Sequence, residues 1–460
     1  MQKKIITAVC MMIAAVLFLC GCDALTFNSA ENLVRPPKLS GDDGELQKAF
    51  EKAVSEKGEY ILRYPSSGKY RSAFVRQDCD GDGKDEAFVF YSLKAEEMSV
   101  NMFMLDFVDG NWTAVSDIPG DGNDIYSVEF SDLNSDGISE VLVGWSSLDA
   151  KANKKLSVYC GYEQDETLSY KMLAVESYTN MFTVDLDADT QKEILITLIN
   201  STSDTYITEA KLLKMSTADN SSFQISSVGR INLYSGISAI NEIKAGSTAG
   251  RRYVYIDEAA GGSYLTEMLY WDKEQKILGS VTDTTEISAI SDFPTSRSLP
   301  LTCKDIDKDG EIEIPVTRLL PGGSIVRNKT QENEILPQEE NLYITSWKKY
   351  DKGNFTVVKS YISNDTDGFY FEYDESVMDN QIIKFFPDKG ISQFFAADTT
   401  DDEPVLLFSI KATPADEESV SGIELAASKT HKYTYEITEK GELSGITDEY
   451  IVNRFALFEE

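Results

Sequence analysis

From about residue 60 to residue 360 the apolar positions come in short alternating runs separated by Asp, Gly and Asn, which is how half-buried antiparallel strands read. Met102–Val108 turns at Asp109-Gly110 into Trp112–Val115, and Asp-Gly is a strong two-residue hairpin signal. The same strand–turn–strand pattern recurs in four more places. These are Leu156–Tyr162 with Leu168–Leu173, Ile207–Met215 with Phe223–Val228, Leu265–Trp271 with Lys276–Val281, and Leu342–Tyr350 with Phe355–Val358. Each is preceded by another strand pair, so the spacing predicts four strands per 53–60 residues, repeated five times, with an insertion at Leu319–Glu340. Ahead of the strands, Leu46, Ala49, Phe50, Ala53 and Val54 make one apolar stripe, predicting a helix over 42–58 that Gly58 stops. Residues 361–460 predict a small α+β domain. Its strands lie at 368–373, 382–386, 391–396, 405–410 and 433–437, and its terminal helix, capped by Thr447, carries Ile451, Phe455 and Phe458 on one side.

Between the first two strands of these units one acidic loop occurs four times. The copies span 78–86, 132–140, 185–193 and 305–313, and their first positions are separated by 54, 53 and 120 residues. Positions one, three and five are Asp78, Asp80 and Asp82; Asp132, Asn134 and Asp136; Asp185, Asp187 and Asp189; and Asp305, Asp307 and Asp309. Position nine is Glu86, Glu140, Glu193 or Glu313. The last step is about two repeats long, which predicts a degenerate copy at 244–252. There no carboxylate remains, Arg252 holds position nine, and Lys244 stands where a metal ligand would be.

The spacing has a chemical reason. Calcium takes six to eight oxygens at about 2.3–2.6 Å, and alternate residues of a tight loop can turn their side chains toward one point. Position seven, occupied by Lys84, Ile138, Gln191 and Glu311, needs only a backbone carbonyl, so its side chain is free to vary. Position six calls for φ > 0 and is Gly83, Gly137 or Gly310, but Thr190 in the third copy, which is therefore expected to be strained. Position twelve, where an EF-hand needs a bidentate Glu, is Val89, Val143, Ile196 and Val316, so an EF-hand is excluded.

A calcium loop joining two β-strands, in four copies of one phase, resembles the FG-GAP/VCBS-type repeats of calcium-loop β-propellers such as integrin heads. The resemblance covers roughly residues 60–360, although the Phe-Gly-Gly-Ala-Pro element is absent. It implies a mainly β protein, with a calcium-loop β-propeller of about five four-stranded blades over 59–360 followed by the small α+β domain. It also implies three or four structural Ca²⁺ ions held by the loop residues named above.

Composition sharpens the picture. Lys plus Arg number 43 against 77 Asp plus Glu, a formal charge of −34, which repels phosphate polymers and argues against a nucleic-acid partner. A single histidine, His431, makes histidine-based metal sites and His-dependent nucleophilic catalysis poor expectations. At the N-terminus Lys3 and Lys4 precede an apolar run, Ile5–Leu19, too short to span a bilayer as a helix. It ends in Leu19-Cys20-Gly21-Cys22, which resembles the bacterial lipobox. That resemblance implies removal of a signal peptide at 1–21, diacylation of Cys22, a tether over 22–41 and residence on the outer face of the cytoplasmic membrane or the cell surface. Cys79, Cys160 and Cys303 are too few and too scattered for a disulfide framework, and their neighbours place Cys79 in a polar loop.

Two functions fit. The first is a non-enzymatic binding or scaffolding module for a protein or glycan partner outside the cytoplasm. The second is an exported glycan-active hydrolase or lyase, with paired carboxylates for the chemistry and Trp112, Trp145, Trp271 or Trp347 to stack sugars. The tryptophans stand on or beside strands, which favours core packing. Asp398, Asp401, Asp402 and Glu403 lack the one-three-five phase and read as a solvated acidic loop.

Overall fold

The computed structural model describes residues 42–458 apart from 149–152, 165–166, 202–205, 218–221, 283–286, 288, 332–333, 375–380, 397–403 and 418–420. Cys22, the tether and the acidic group Asp398, Asp401, Asp402 and Glu403 lie outside the described residues.

The protein is mainly β, and its strands assemble in chain order. Sheet one comprises β1 (Tyr60–Leu62), β2 (Phe74–Gln77), β3 (Glu86–Leu93), β4 (Asn101–Val108) and β5 (Asn111–Pro119). Strands β1 and β2 pair with opposite ends of β3, so together they act as one interrupted outer strand. Sheets two to four are four-stranded antiparallel meanders. Sheet two holds β6 (Asp124–Ser131), β7 (Glu140–Ser146), β8 (Lys154–Gln164) and β9 (Thr167–Tyr178). Sheet three holds β10 (Asn180–Val184), β11 (Glu193–Ser201), β12 (Tyr206–Thr217) and β13 (Phe223–Asn232). Sheet four holds β14 (Ala239–Thr248), β15 (Arg251–Ala260), β16 (Ser263–Asp272) and β17 (Ile277–Ser280). The turn at Asp109-Gly110 has φ of 51° and 80°, the doubly positive geometry that matches the strand twist.

Alternation gives each of these sheets two apolar faces, and consecutive sheets bury them against one another. Phe88, Phe90 and Met102 of sheet one meet Val141, Val143 and Trp145 of sheet two. Leu142 and Leu156 meet Ile194 and Leu213 of sheet three, whose other face, Leu195 and Leu212, meets Val254 and Leu269 of sheet four. Tyr253 and Tyr255 then pack on Cys303 and Ile314. At the free face of sheet one lies α1 (Asp42–Val54), with Leu46, Phe50 and Val54 buried. Phe50 sits edge-on to Tyr60, Phe74, Tyr91 and Phe103 at centroid distances of 5.2, 5.7, 5.4 and 5.6 Å. No hydrophobic core among the described residues joins sheet one to the fifth sheet.

The fifth unit departs from the four-strand expectation. The insertion at 319–340 is itself strand: β18 (Ile314–Gln331) and β19 (Glu334–Asp351) run on as one long hairpin, paired from Ile314–Lys348 out to Gln331–Glu334. Its length exposes a new edge, where β22 (Gln381–Phe386) pairs in parallel through Ser324–Lys384 and Ile325–Phe385. On the other side β20 (Asn354–Asn364) and β21 (Phe369–Glu372) follow, and β20 crosses residue 360 without a break. With β23 (Ile391–Ala396), β24 (Val405–Pro414), β25 (Ile423–Ala427), β26 (His431–Ile437) and β27 (Phe455–Leu457) the result is one ten-stranded sheet. Two short helices follow β26, α2 (Glu439–Leu443) and α3 (Asp448–Arg454), the latter capped by the Thr447 hydroxyl on Tyr450 N–H. The terminal helix stops before Phe455, which enters strand β27 against β21 and stacks on Phe369 at 5.1 Å. Burial of the ring against the sheet outweighs one more helical turn. No helix among the described residues is long and apolar enough to cross a membrane.

Candidate metal centre

All four acidic loops take one backbone course. Position six donates its N–H to the position-one carboxylate: Gly83 to Asp78, Gly137 to Asp132, Thr190 to Asp185 at 3.1 Å each, and Gly310 to Asp305 at 2.9 Å. Position five donates to the side-chain oxygen of position three at 2.9–3.2 Å, and position seven to that of position five at 2.8–3.0 Å. These Asx-type bonds let short acidic side chains replace backbone pairing in a tight turn. Thr190 adopts φ 80°, beside 84°, 91° and 88° for the glycines at the same position. A β-branched residue is strained there by about 1–3 kcal/mol. Thr190→Gly is therefore expected to stabilise the protein by about 1 kcal/mol in a denaturant melt; a destabilised variant would refute the strain.

Three features of the loops were not read from the sequence. Position four also has positive φ, at Gly81, Ser135, Ala188 and Lys308. The position-two N–H, from Cys79, Leu133, Leu186 and Ile306, donates to the position-nine carboxylate at 2.7–2.9 Å, which anchors each Glu. The side chains of Cys79, Leu133 and Leu186 enter the cores between sheets, so Cys79 lies in the polar loop with its thiol turned into the core. Cys160 and Cys303 are likewise free and buried.

The loops converge their acids selectively. Oxygens of Asp78, Asp80 and Glu86, of Asp185, Asp187 and Glu193, and of Asp305, Asp307 and Glu313 lie within 4.8 Å of one another, about twice a calcium–oxygen bond. In the second loop Asn134 replaces one acid and its amide nitrogen faces Asp136 at 2.9 Å. Position five stands apart from these triads: Asp82 and Asp309 turn one oxygen to Lys84 and Lys349 at 3.1 Å each. The position-seven side chains also point away, Lys84 to Asp82 and Gln191 to the Asn134 carbonyl at 3.1 Å. Glu86, Glu140, Glu193 and Glu313 are all buried. Burial, with Asp80 and Asp106 adding to it against the Cys79 N–H, pushes Glu86 up to about 8. Burial likewise pushes Glu140 up to about 7 and raises Glu313. Glu313 Oε1 is buried with no hydrogen-bond partner. A hard divalent cation fits these donors: it would satisfy the orphaned oxygen and offset the burial and mutual repulsion that raise these glutamates.

The third loop carries its own cation. Lys214 of β12 donates to Asp187, Asp189 and Glu193 at 2.5, 2.7 and 2.7 Å. Burial pulls its ammonium down, but the bonds to the three acids outweigh that and hold it above the usual lysine range. Arg252 pairs with Asp185 and donates to its carbonyl at 2.6 Å.

That arginine belongs to the stretch 244–252, which is not a loop at all. Strands β14 and β15 close there through a two-residue turn, Ala249-Gly250, with φ of 49° and 76°. Without acids to wrap inward, ladder pairing runs to the end of the hairpin. Lys244 lies within β14 and pairs with Glu242 at 2.9 Å.

Neighbouring loops are joined along one edge. Ser139 N–H of the second loop donates to the Cys79 carbonyl of the first at 2.8 Å, and Gln191 of the third reaches Asn134 of the second. Arg252 reaches back to the third loop, while Thr248 donates to Glu311 of the fourth at 3.1 Å. Trp112, Trp145 and Trp347 are buried, and Trp271 is half-buried against the core between sheets three and four. Searches of protein-family models and of curated proteins return no match to this chain.

Proposed function

We propose that this chain is a lipid-anchored, extracytoplasmic calcium-binding protein that serves as a binding or scaffolding module for a cell-envelope or extracellular partner. Its loop-bearing sheets form a calcium-loop blade array of the FG-GAP/VCBS propeller type. In this array α1 covers the flank of sheet one that a neighbouring blade would cover in a closed ring, and the C-terminal sheet extends the opposite end. The observation that carries this reading is the run of four loops with one backbone geometry, each closing on a buried Glu, the first three bonded to one another and the fourth reached through the 244–252 hairpin.

Calcium in such loops is structural. It joins the first two strands of a sheet and neutralises acids that would otherwise repel, so its binding free energy becomes folding free energy. Extracellular calcium modules bind at about 10⁻⁴–10⁻³ M, so they are loaded outside the cell and empty inside. The lipobox-like Leu19–Cys22 segment supports the same compartment. The tryptophans, natural candidates for stacking a sugar, are spent on packing, which favours a binding module over a glycan hydrolase.

Calorimetric calcium titration of the full chain is expected to show three or four ions, with dissociation constants of about 10⁻⁴–10⁻³ M. A count of none or one rejects the reading. Cys22→Ala is expected to move the protein from the membrane fraction to the soluble one, and retention on membranes would reject the anchor.

A further inference from the structure

The four loops share a backbone but not the residue that faces them across the sheet. Position nine lies one step before the pairs Ala87–Leu105, Val141–Tyr159, Ile194–Leu213 and Ile314–Lys348. That register sets Asp106, Cys160, Lys214 and Lys349 opposite Glu86, Glu140, Glu193 and Glu313. One loop therefore meets an acid, one a thiol and two a lysine.

The two lysines behave differently. Lys349 pairs with Asp309 and Glu311, at positions five and seven, and leaves Glu313 Oε1 without a partner. Lys214 engages positions three, five and nine together, with its side chain 17% exposed. An ammonium has three N–H donors, and here each has its own carboxylate oxygen. Two of those three acids, Asp187 and Glu193, belong to the triad a divalent ion would draw on. The remaining acid, Asp185, is paired with Arg252. Every carboxylate of this loop is thus matched to a fixed cation of the same chain, and a divalent ion could enter only by displacing a half-buried ammonium.

We propose that Lys214 is a tethered cation that fills the third loop in place of calcium, and that a lysine opposite position nine keeps metal out only where, as here, its ammonium reaches positions three and nine. The inference rests on the calcium reading of the sister loops and sets the wild-type complement at three ions, in loops 78–86, 132–140 and 305–313. The third loop then holds sheets two, three and four together whether or not calcium is present.

Calcium counts on the full chain test this, by titration calorimetry and by elemental analysis after dialysis against calcium. Lys214→Met, which keeps the side-chain length and removes the charge, is expected to bind one ion more than wild type, and Lys214→Arg the same number as wild type. Lys214→Gln serves the same purpose if the Met variant does not fold. If neither folds, reductive methylation of wild type gives the answer: Lys214 stays protected in EDTA if it fills the loop itself. An unchanged count in Lys214→Met while wild type binds calcium overturns the tethered cation and leaves the calcium reading intact, as does a Lys214 that EDTA unmasks. A wild type that binds no calcium rejects the calcium reading instead. In that case one ion gained by Lys214→Met still supports the tethered cation, and none gained overturns it.

Discussion

Chelation of a calcium-loaded sample is expected to lower its melting temperature by roughly 10 °C. With calcium at about 100 times the dissociation constant, each ion that binds only the folded state adds about 2.7 kcal/mol. Three such sites make the largest single contribution that can be removed without touching the chain. Removing it leaves Asp78, Asp80 and Glu86, and likewise Asp305, Asp307 and Glu313, converged within 4.8 Å with no ion to offset them. The effect should return on adding calcium in excess of chelator, and magnesium should substitute poorly because it demands a smaller octahedral shell. Calorimetric melts with and without EDTA decide it, and superimposable melts would remove calcium from any structural role.

The second large effect concerns pH. Glu258 of β15 and Glu267 of β16 are both fully buried on the face of sheet four that packs on sheet three. Tyr234 N–H donates to Glu267 Oε1 at 2.6 Å, while both oxygens of Glu258 and the second of Glu267 have no partner. Burial, together with the neighbouring Glu267 and Asp257, raises Glu258 far above the carboxylate range, with Arg297 only partly opposing it. Burial pushes Glu267 up to about 7. For groups whose folded pKa is raised, the stabilising contribution is complete below the unfolded value of about 4.5 and is lost as pH rises through about 7. Stability should therefore fall by about 2.5 kcal/mol between pH 5 and pH 8 from Glu267 alone. Glu258→Gln and Glu267→Gln should each flatten that slope, giving a higher melting temperature than wild type at pH 8 and little change at pH 5. The measurement belongs in saturating calcium, so that on the calcium reading proposed above the loop acids do not add to the slope. Variants that melt in parallel with wild type at both pH values would show that the pair is not the titrating unit.

Much of the architecture is local in origin. Period-two alternation and Asp-Gly turns come from strand geometry and φ preferences that hold within a few residues, so strands such as 102–108 and 265–271 are readable one at a time. The loop acids are readable for the same reason: positions one, three, five and nine act within nine consecutive residues. The stretch 244–252 shows the limit of spacing alone, because a repeat step says where a loop could be and only the acids make the chain wrap. The hairpin at 314–351 shows the converse, since a long polar insertion can pair with itself once the flanking strands hold its ends together.

Lys214 was within reach of the sequence, as it stands 29 residues after Asp185, while Asp106 and Cys160 each stand 28 after Asp78 and Asp132. What the linear order does not carry is that this offset lands opposite the loop Glu, because that depends on strand register. Side-chain chemistry and short-range backbone preference are enough to mark most of the strands, their order, the acidic turns and the residues able to bind an ion. Which acids converge, which meet a lysine or arginine from another strand, and how the last unit fuses with the C-terminal strands emerge with the folded chain. Those outcomes depend on distances between residues far apart in the chain, which packing and register set together.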